Sequence, residues 1–564
     1  MNNYTTKRLS LLLVAFLISV VFYRCSAPLN ETDFEKFLDE FNAEYIDLNN
    51  AVQLAEFNAA VSGNDEDYQK STDLNIQVTK LFSSKSKFKK LKKFKEQNIV
   101  EDALLLKQLN FLYNQYLFHQ IDQNKMVEMV TAAKKLTRKF SVYRTIIDNV
   151  SYSDSEVENM LKNTLSSDKL EMVWKASKEV GSTVADDIIK LVKMRNEAAQ
   201  SLGFENYFIM SLEMSGQDID KLENIYSEFD LLSEGIYDDL KIIMDERLST
   251  IYSVPQELLM PWHYQNRFFQ KAPNIYDVNL DVLYKGKNIV ELANKYFSGI
   301  GLDISGILKK SDLHEKSGKA QTGFCTDIDR NGDVRILANI EDDEYSMNTL
   351  LYESGFALYL KSINNDLPYL LRSPSHFFTV DAVATLFSQF STNSDWLNEI
   401  AGISVEEKAR IEEDSKKYLL LSKVVFSRWA QVMYHFEKSM YENPEQDLNK
   451  LWWVLVEKYQ KLNKPANWDN PDWASKNHLI TKPCTYHNYI LGELFAAQLH
   501  HYIKNNIANH GNGAIKCINN PEIGKYLIEK VFKPGKSMNW EELILNATGE
   551  DLNPDYFKTT CLDL

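Results

Sequence analysis

The stretch with the most chemical content runs from Met347 to Leu360 and contains Tyr352-Glu353-Ser354-Gly355-Phe356. Two imidazoles four residues apart share one helical face and can grip one metal ion, with a Glu beside them as general base; that arrangement reads H-E-x-x-H. Here the Glu is present, but Tyr352 and Phe356 stand where the imidazoles would be. Phe356 has no lone pair, and a phenol with an ordinary pKa near 10 is a poor ligand at neutral pH. The ten histidines, at 119, 263, 314, 376, 435, 478, 487, 500, 501 and 510, include no two that are three or four apart, so no other helix offers a paired-imidazole grip. Without a metal-bound water, Glu353 has no proton to take. Glu353 and Asp381 as a carboxylate pair would need close, shared-proton geometry. A serine mechanism through Ser354 lacks a strand–turn–helix context and a base.

The elements that must position these residues are mostly helical. A helical period runs from Glu31 to Val61 through Phe34, Leu38, Phe41, Tyr45, Leu48, Val52, Ala55 and Ala59, and Gly63-Asn64-Asp65 stops it. Two further helical stretches are expected up to about Ile121. Within them, Lys85 to Lys95 holds seven lysines around Phe88, Leu91 and Phe94. That pattern reads as a solvated helix with a buried apolar stripe, the rival being a membrane or acidic-partner patch. Met126 to Tyr252 reads as helical throughout, with Gly203 as a helix stop. His263, in Pro261-Trp262-His263-Tyr264, reads as a packed, hydrogen-bonded core residue. Gln321 to Ile328 and Val334 to Ile340 are apolar at alternate positions and joined by Asp329-Arg330-Asn331-Gly332-Asp333. This predicts one hairpin, its tip supplied with positive φ by Asn-Gly. The faces around Trp396, Trp429, Trp452 and Trp453 are expected to be core.

Composition narrows the class. The 564 residues, 44% apolar and 12% aromatic, suffice for a large core, and no Ser/Pro-rich linker divides them. A net charge of -16 argues against nucleic acid as a main partner. At the N-terminus, Lys7 and Arg8 precede the apolar run Leu11 to Phe22 and then Cys25-Ser26. That run has the length of a signal-peptide core rather than a membrane span. It predicts export, with lipidation at Cys25, an ordinary cleaved signal or an uncleaved anchor as the alternatives; Arg24 is larger than the residue usual before a lipidated Cys. Cys325, Cys484, Cys517 and Cys561 show no metal-binding spacing and read as buried thiols or at most one or two disulfides.

Gly323-Phe324-Cys325-Thr326-Asp327-Ile328-Asp329-Arg330, Asn348-Thr349-Leu350-Leu351, Leu367-Pro368 and Asp381-Ala382 follow one another in an order that resembles bacterial members of the angiotensin-converting enzyme family of peptidyl-dipeptidases. The resemblance runs from about residue 30 to the end. It implies that the opening helices form a lid and that Phe324 and Cys325 lie on a strand lending backbone groups to an extended peptide. It also implies that the family's third zinc ligand, a Glu, is matched here by the shorter Asp381. In Lys476-Asn477-His478 and Tyr486-His487-Asn488-Tyr489, the resemblance assigns the peptide's C-terminal carboxylate to Lys476 and Tyr486, and oxyanion stabilisation to His478 and Tyr489. The alternative is that these four are framework. Asn488 stands where the animal enzymes carry a chloride-linked Arg, so chloride activation is not expected.

The expected architecture is mainly α: a two-lobed helical metallopeptidase fold with a deep central cleft and one small β-hairpin at the groove. Residues 1–25 are expected to be a signal peptide of lipoprotein type and 26–564 a peptidase-like domain, with about 30–120 as the lid. With the ligand positions Tyr352, Phe356 and Asp381 changed, no zinc or other cofactor is expected, and Glu353, His478 and Tyr489 keep their family roles in resemblance only. The leading reading is an exported, membrane-tethered protein that binds peptides with free C-termini or an envelope protein without cleaving them. The alternatives are a retained or reinvented peptidase activity and a structural subunit of an envelope complex.

Overall fold

A computed structural model describes residues 29–508 and 517–563. The leader with Cys25 lies outside the described residues, as do His510 and the side chain of Cys561. No described helix is long and apolar enough to cross a membrane.

The chain begins with helix α1, Glu31–Ser62. Asn30 caps it reciprocally with Asp33, and Gly63 ends it at φ 67°, a left-handed conformation that glycine adopts without a Cβ penalty. Its buried stripe includes Phe34, Phe37, Leu38, Phe41 and Tyr45. Three helices come next rather than the two expected: α2 (Asp65–Phe82), α3 (Lys85–Glu96) and α4 (Ala103–Phe118). The lysine-rich α3 buries Leu91 and Phe94 and leaves Lys85, Lys89, Lys92 and Lys93 in water. The opening helices share a core of their own, capped by Tyr369 and Leu370 from the main body of the chain. Tyr369 fastens the two parts, donating from Oη to Asn50 Oδ1 at 2.7 Å and accepting from Asn49 Nδ2 at 2.9 Å.

Between residues 126 and 252 the expectation of unbroken helix fails. Strands β1 (Thr145–Ile147) and β2 (Val150–Tyr152) pair antiparallel around Asp148 (φ 50°) and Asn149 (φ 63°). The reason is local: β-branched residues flank two residues that tolerate left-handed backbone, the chemistry of a two-residue hairpin loop. Beyond it, helix α5 (Ser167–Ser201) ends just before Gly203, as read from the sequence. The expected hairpin is present but shorter, with β3 (Phe324–Asp327) against β4 (Val334–Leu337) and Cys325 opposite Ile336. At its tip the left-handed residues are Arg330 (φ 52°) and Gly332 (φ 100°), not Asn331. Asp327 Oδ1 accepts from the Arg330 N–H, and Asp329 Oδ1 from those of Asn331 and Asp333, which fixes that path.

The remaining chain is helical around one large core, which buries Trp396, Trp429, Trp452 and Trp453 as expected. Helices α6 (Glu344–Lys361), α7 (Phe377–Ser388), α8 (Val405–Glu442) and α9 (His487–Tyr502) pack within it, α6 on α7 and α9 on both α7 and α8. Two glycines let three of them approach closely. A Cβ on Gly355 of α6 would stand 2.7 Å from the Phe387 ring of α7, and one on Gly492 of α9 would stand 2.4 Å from Asp381 Oδ2. His263 is buried, as read: its Nδ1 accepts from the Met260 N–H at 2.9 Å, leaving Nε2 to donate to Ser167 Oγ at 2.9 Å. Cys325, Cys484 and Cys517 are free thiols, so no disulfide joins the described cysteines.

Candidate functional site

Asp343 caps α6, accepting from the Ser346 N–H at 2.8 Å, and the helix is apolar around most of its circumference because other elements bury it. Tyr352 and Phe356, one turn apart on α6, are half-buried, whereas Glu353 and Ser354 are buried. The Tyr352 hydroxyl donates a short hydrogen bond to Asp381 Oδ1 on α7. Asp381 is 3% exposed, and its second oxygen lies against Gly492.

The electrostatics are set by burial. Desolvation raises the Asp381 carboxyl to about 7 against the lowering effect of the Tyr352 hydrogen bond, with nearby Glu493 raising it further. Glu353 is raised to about 7, first by burial and then by the Asp381 charge. Burial and the Asp381 carboxylate push the Tyr352 phenol up as well, so it stays protonated and remains a donor. Ser354 Oγ is buried and has no hydrogen-bond partner among the described residues, hence no base to activate it.

These residues do not fit a zinc ion. Phe356 offers no lone pair, the Tyr352 hydroxyl is turned to Asp381, and Asp381 sits behind Tyr352 in the α7–α9 contact. An aromatic neighbour of Phe356 is Phe377, one turn before Asp381 on α7; its ring lies 6.5 Å from that of Phe356 and 6.4 Å from that of Tyr489. Phe377 was not singled out in the sequence, although the helical spacing of four from Asp381 was available to find it. His376 caps α7, its Nδ1 accepting from the Phe378 N–H, and burial lowers its pKa to about 3. Among the described residues no group of three or more His, Cys, Asp or Glu side chains is placed to hold a metal.

Beyond Tyr489 lies a second polar cluster. Lys476 Nζ donates to Gln270 Oε1 at 2.6 Å and stands 5.2, 5.0 and 5.8 Å from the ring centres of Phe268, Trp429 and Tyr486. Burial lowers its pKa to about 8 against the raising effect of the Glu158 charge, and among the described residues no carboxylate lies within ion-pair distance of it. Tyr486 is buried and its Oη accepts from Trp429 Nε1 at 2.6 Å, leaving its own proton free for another acceptor. His478 stacks edge-on to Tyr486 at 4.6 Å and lies 6.1 Å from Tyr489. Thr485 Oγ1 spends its proton on the Lys482 carbonyl, so His478 Nε2 is the donor of their 3.3 Å contact. Burial, with Lys476 and Lys482 nearby, holds His478 neutral, its pKa down at about 3. The loop joining the motifs turns at Cys484 (φ 56°), whose N–H donates to the buried Glu437 Oε1 at 2.7 Å; this anchors the chain just before Tyr486. Lys476, His478, Tyr486 and Tyr489 thus form one cluster, with Gln270 added from a loop the sequence did not single out.

The hairpin residues part company. Cys325 is half-buried and close enough to Glu353 that the carboxylate, after burial, helps push its thiol pKa up. The Phe324 ring turns to the opening helices instead and packs edge-on against Phe57 of α1 at 6.3 Å.

A mainly helical body, opening helices with a core of their own, a hairpin beside α6 and a cluster of Lys476, His478, Tyr486 and Tyr489 define the scaffold of a helical peptidase. A family model described as angiotensin-converting enzyme matches residues 28–555, and the chain belongs to that family.

Proposed function

We propose that this peptidyl-dipeptidase-like protein binds peptides by their C-terminal carboxylate and does not cleave them. The observation that carries the reading is Lys476, a half-buried ammonium with one neutral acceptor and no carboxylate within ion-pair distance among the described residues, Glu158 acting on it only from further off. A buried cation without a counter-ion is unfavourable, and an arriving carboxylate satisfies it. Tyr486 supplies the second donor, because its own acceptor lone pair is already occupied by Trp429. Charge-assisted bonds of this kind are individually worth about 1.5 to 3 kcal/mol. Strand β3 presents backbone groups to an extended chain along the same cleft.

The residues at the metal position account for the absence of cleavage. Glu353 lacks a metal-bound water to deprotonate, and His478 donates to Thr485. Export and tethering complete the proposal, on the strength of Lys7, Arg8, the run Leu11 to Phe22 and Cys25. An envelope protein presenting a free C-terminus would be a partner of the same chemistry.

Calorimetry with matched short peptides tests the binding. Free C-termini should bind about ten to a hundred times more tightly than amidated ones, and Lys476→Ala should erase the difference. Equal binding of free and amidated peptides, or none at millimolar concentration, would leave Lys476 and Tyr486 as framework.

A further inference from the structure

Beside the altered metal position, a cavity of about 560 Å³ opens between lid helix α4 and the wall carrying Phe377 and Tyr489. Two lysines line it, Lys482 and Lys536, and no Asp or Glu does, although acidic residues outnumber basic ones by 79 to 63 along the chain. His376, also on the wall, is held neutral by burial and by the charge of Lys536. The charged side chains lining the cavity are therefore all cationic in a protein that is negative as a whole, with the carboxyls of Glu353 and Asp381 set behind the lining near Lys482.

Lys536 is the more telling of the two. Its ammonium lies over the Phe111 ring, 5.0 Å from the centroid, with no carboxylate in ion-pair range among the described residues. Burial, with Arg330 nearby, lowers its pKa to about 8, so it is still mainly charged at neutral pH. Three other lysines with little exposure are closed by a carboxylate: Lys319 meets Asp312 at 2.7 Å, Lys423 meets Glu493 at 2.8 Å and Lys241 meets Asp245 at 2.6 Å, whereas the buried Lys178 lies over the Phe268 ring at 3.6 Å. Lys482, on the opposite wall, is exposed and feels Glu353 and Asp381 without pairing with either. Phe118, Met210 and Met214 add apolar wall, which suits a methylene stem carrying a charged end better than a bare ion.

The cavity adjoins the carboxylate cluster through Tyr489, whose ring is 5.4 Å from that of Tyr486. An extended peptide rises about 3.3 Å per residue, so a side chain within three positions of the C-terminus can reach the next compartment. We infer that this cavity receives an acidic side chain of the bound peptide, upstream of the C-terminal carboxylate held at Lys476. The inference rests on the peptide-binding reading and gives it a sequence preference.

The test uses the full chain and tetrapeptides with free C-termini, each carrying Glu or Gln at one of the three positions before the last. At one position Glu should bind about tenfold more tightly than Gln, the worth of one charge-assisted bond. Lys536→Met should bring that ratio to about one while leaving the preference for free over amidated C-termini intact, and Lys536→Arg should restore it. Lys482→Met, at an exposed side chain, serves as a second variant should Lys536→Met melt early, and it should lower the same ratio. Equal binding of Glu and Gln peptides at all three positions, with free C-termini still preferred, overturns the acidic subsite alone. Failure of every peptide to bind overturns the peptide-binding reading and the subsite with it.

Discussion

The hydroxyl of Tyr352 donates to the carboxylate of Asp381, tying α6 to α7 beside the position where a metal-binding helix would present its first imidazole. The aromatic ring fills the cleft while the one polar atom of the side chain is satisfied by a group that is itself buried. Phe356 and Phe377 complete the change with rings that need no partner. Replacing hydrogen-bonded polar groups by packed rings removes the cost of burying them, so the cleft can hold its shape without an ion.

The purified protein should accordingly carry no stoichiometric zinc and release no dipeptides from peptide C-termini. Its melting temperature should be unchanged by chelator. Elemental analysis, a peptide-release assay and a melt with and without chelator check this. One zinc per chain, or a melting temperature that falls in chelator and recovers with zinc, would contradict the assignment.

The faces of α6 and α7 also specify how a metal site would have to be rebuilt. Tyr352→His with Phe356→His restores the paired imidazoles, and the third ligand should come from Phe377→Glu, because Phe377 borders Phe356 whereas Asp381 lies buried against Gly492. The triple variant should take up zinc at least tenfold more tightly than Tyr352→His, Phe356→His with Asp381→Glu, a difference of roughly 1.4 kcal/mol. Direct zinc titration decides it. Equal affinity, or a preference for the Asp381→Glu version, would mean that Asp381 rather than Phe377 commands the cleft.

Stability should fall as pH rises through neutrality, because Glu353 and Asp381 are both held at about 7 in the folded chain. A carboxyl raised above its unfolded pKa of about 4 binds more protons when folded, so its contribution is fully present below pH 4 and is lost as pH rises through 7. Glu353→Gln removes one of the two groups and should flatten the decline between pH 5 and pH 8, with a gain at pH 8 of roughly 1 to 3 kcal/mol. Denaturant melts of both proteins at the two pH values measure it. Parallel curves would show that Glu353 does not titrate in that range.

The amino-acid sequence by itself determined the local features. The stripe from Phe34 to Ala59 with its stop at Gly63, the hairpin around residues 321 to 340 and the absence of paired imidazoles in Tyr352 to Phe356 are set by residue type and spacing within a few turns. The first hairpin was legible in principle, since Asp148-Asn149 lies between β-branched residues, but helical patterning on both sides obscured it. Only the tertiary structure decided which side chains meet. Asp381 matches a ligand position when residues are counted along the chain, yet the close α7–α9 approach over Gly492 buries it with its carboxylate bonded to Tyr352. Gln270 reaches Lys476 across 206 residues, and Lys536 and Lys482 come from separate elements to line one cavity. Helical period fixes which residues share a face; the distance and rotation at which two faces pack decide what that face touches, and those depend on contacts far apart in the chain.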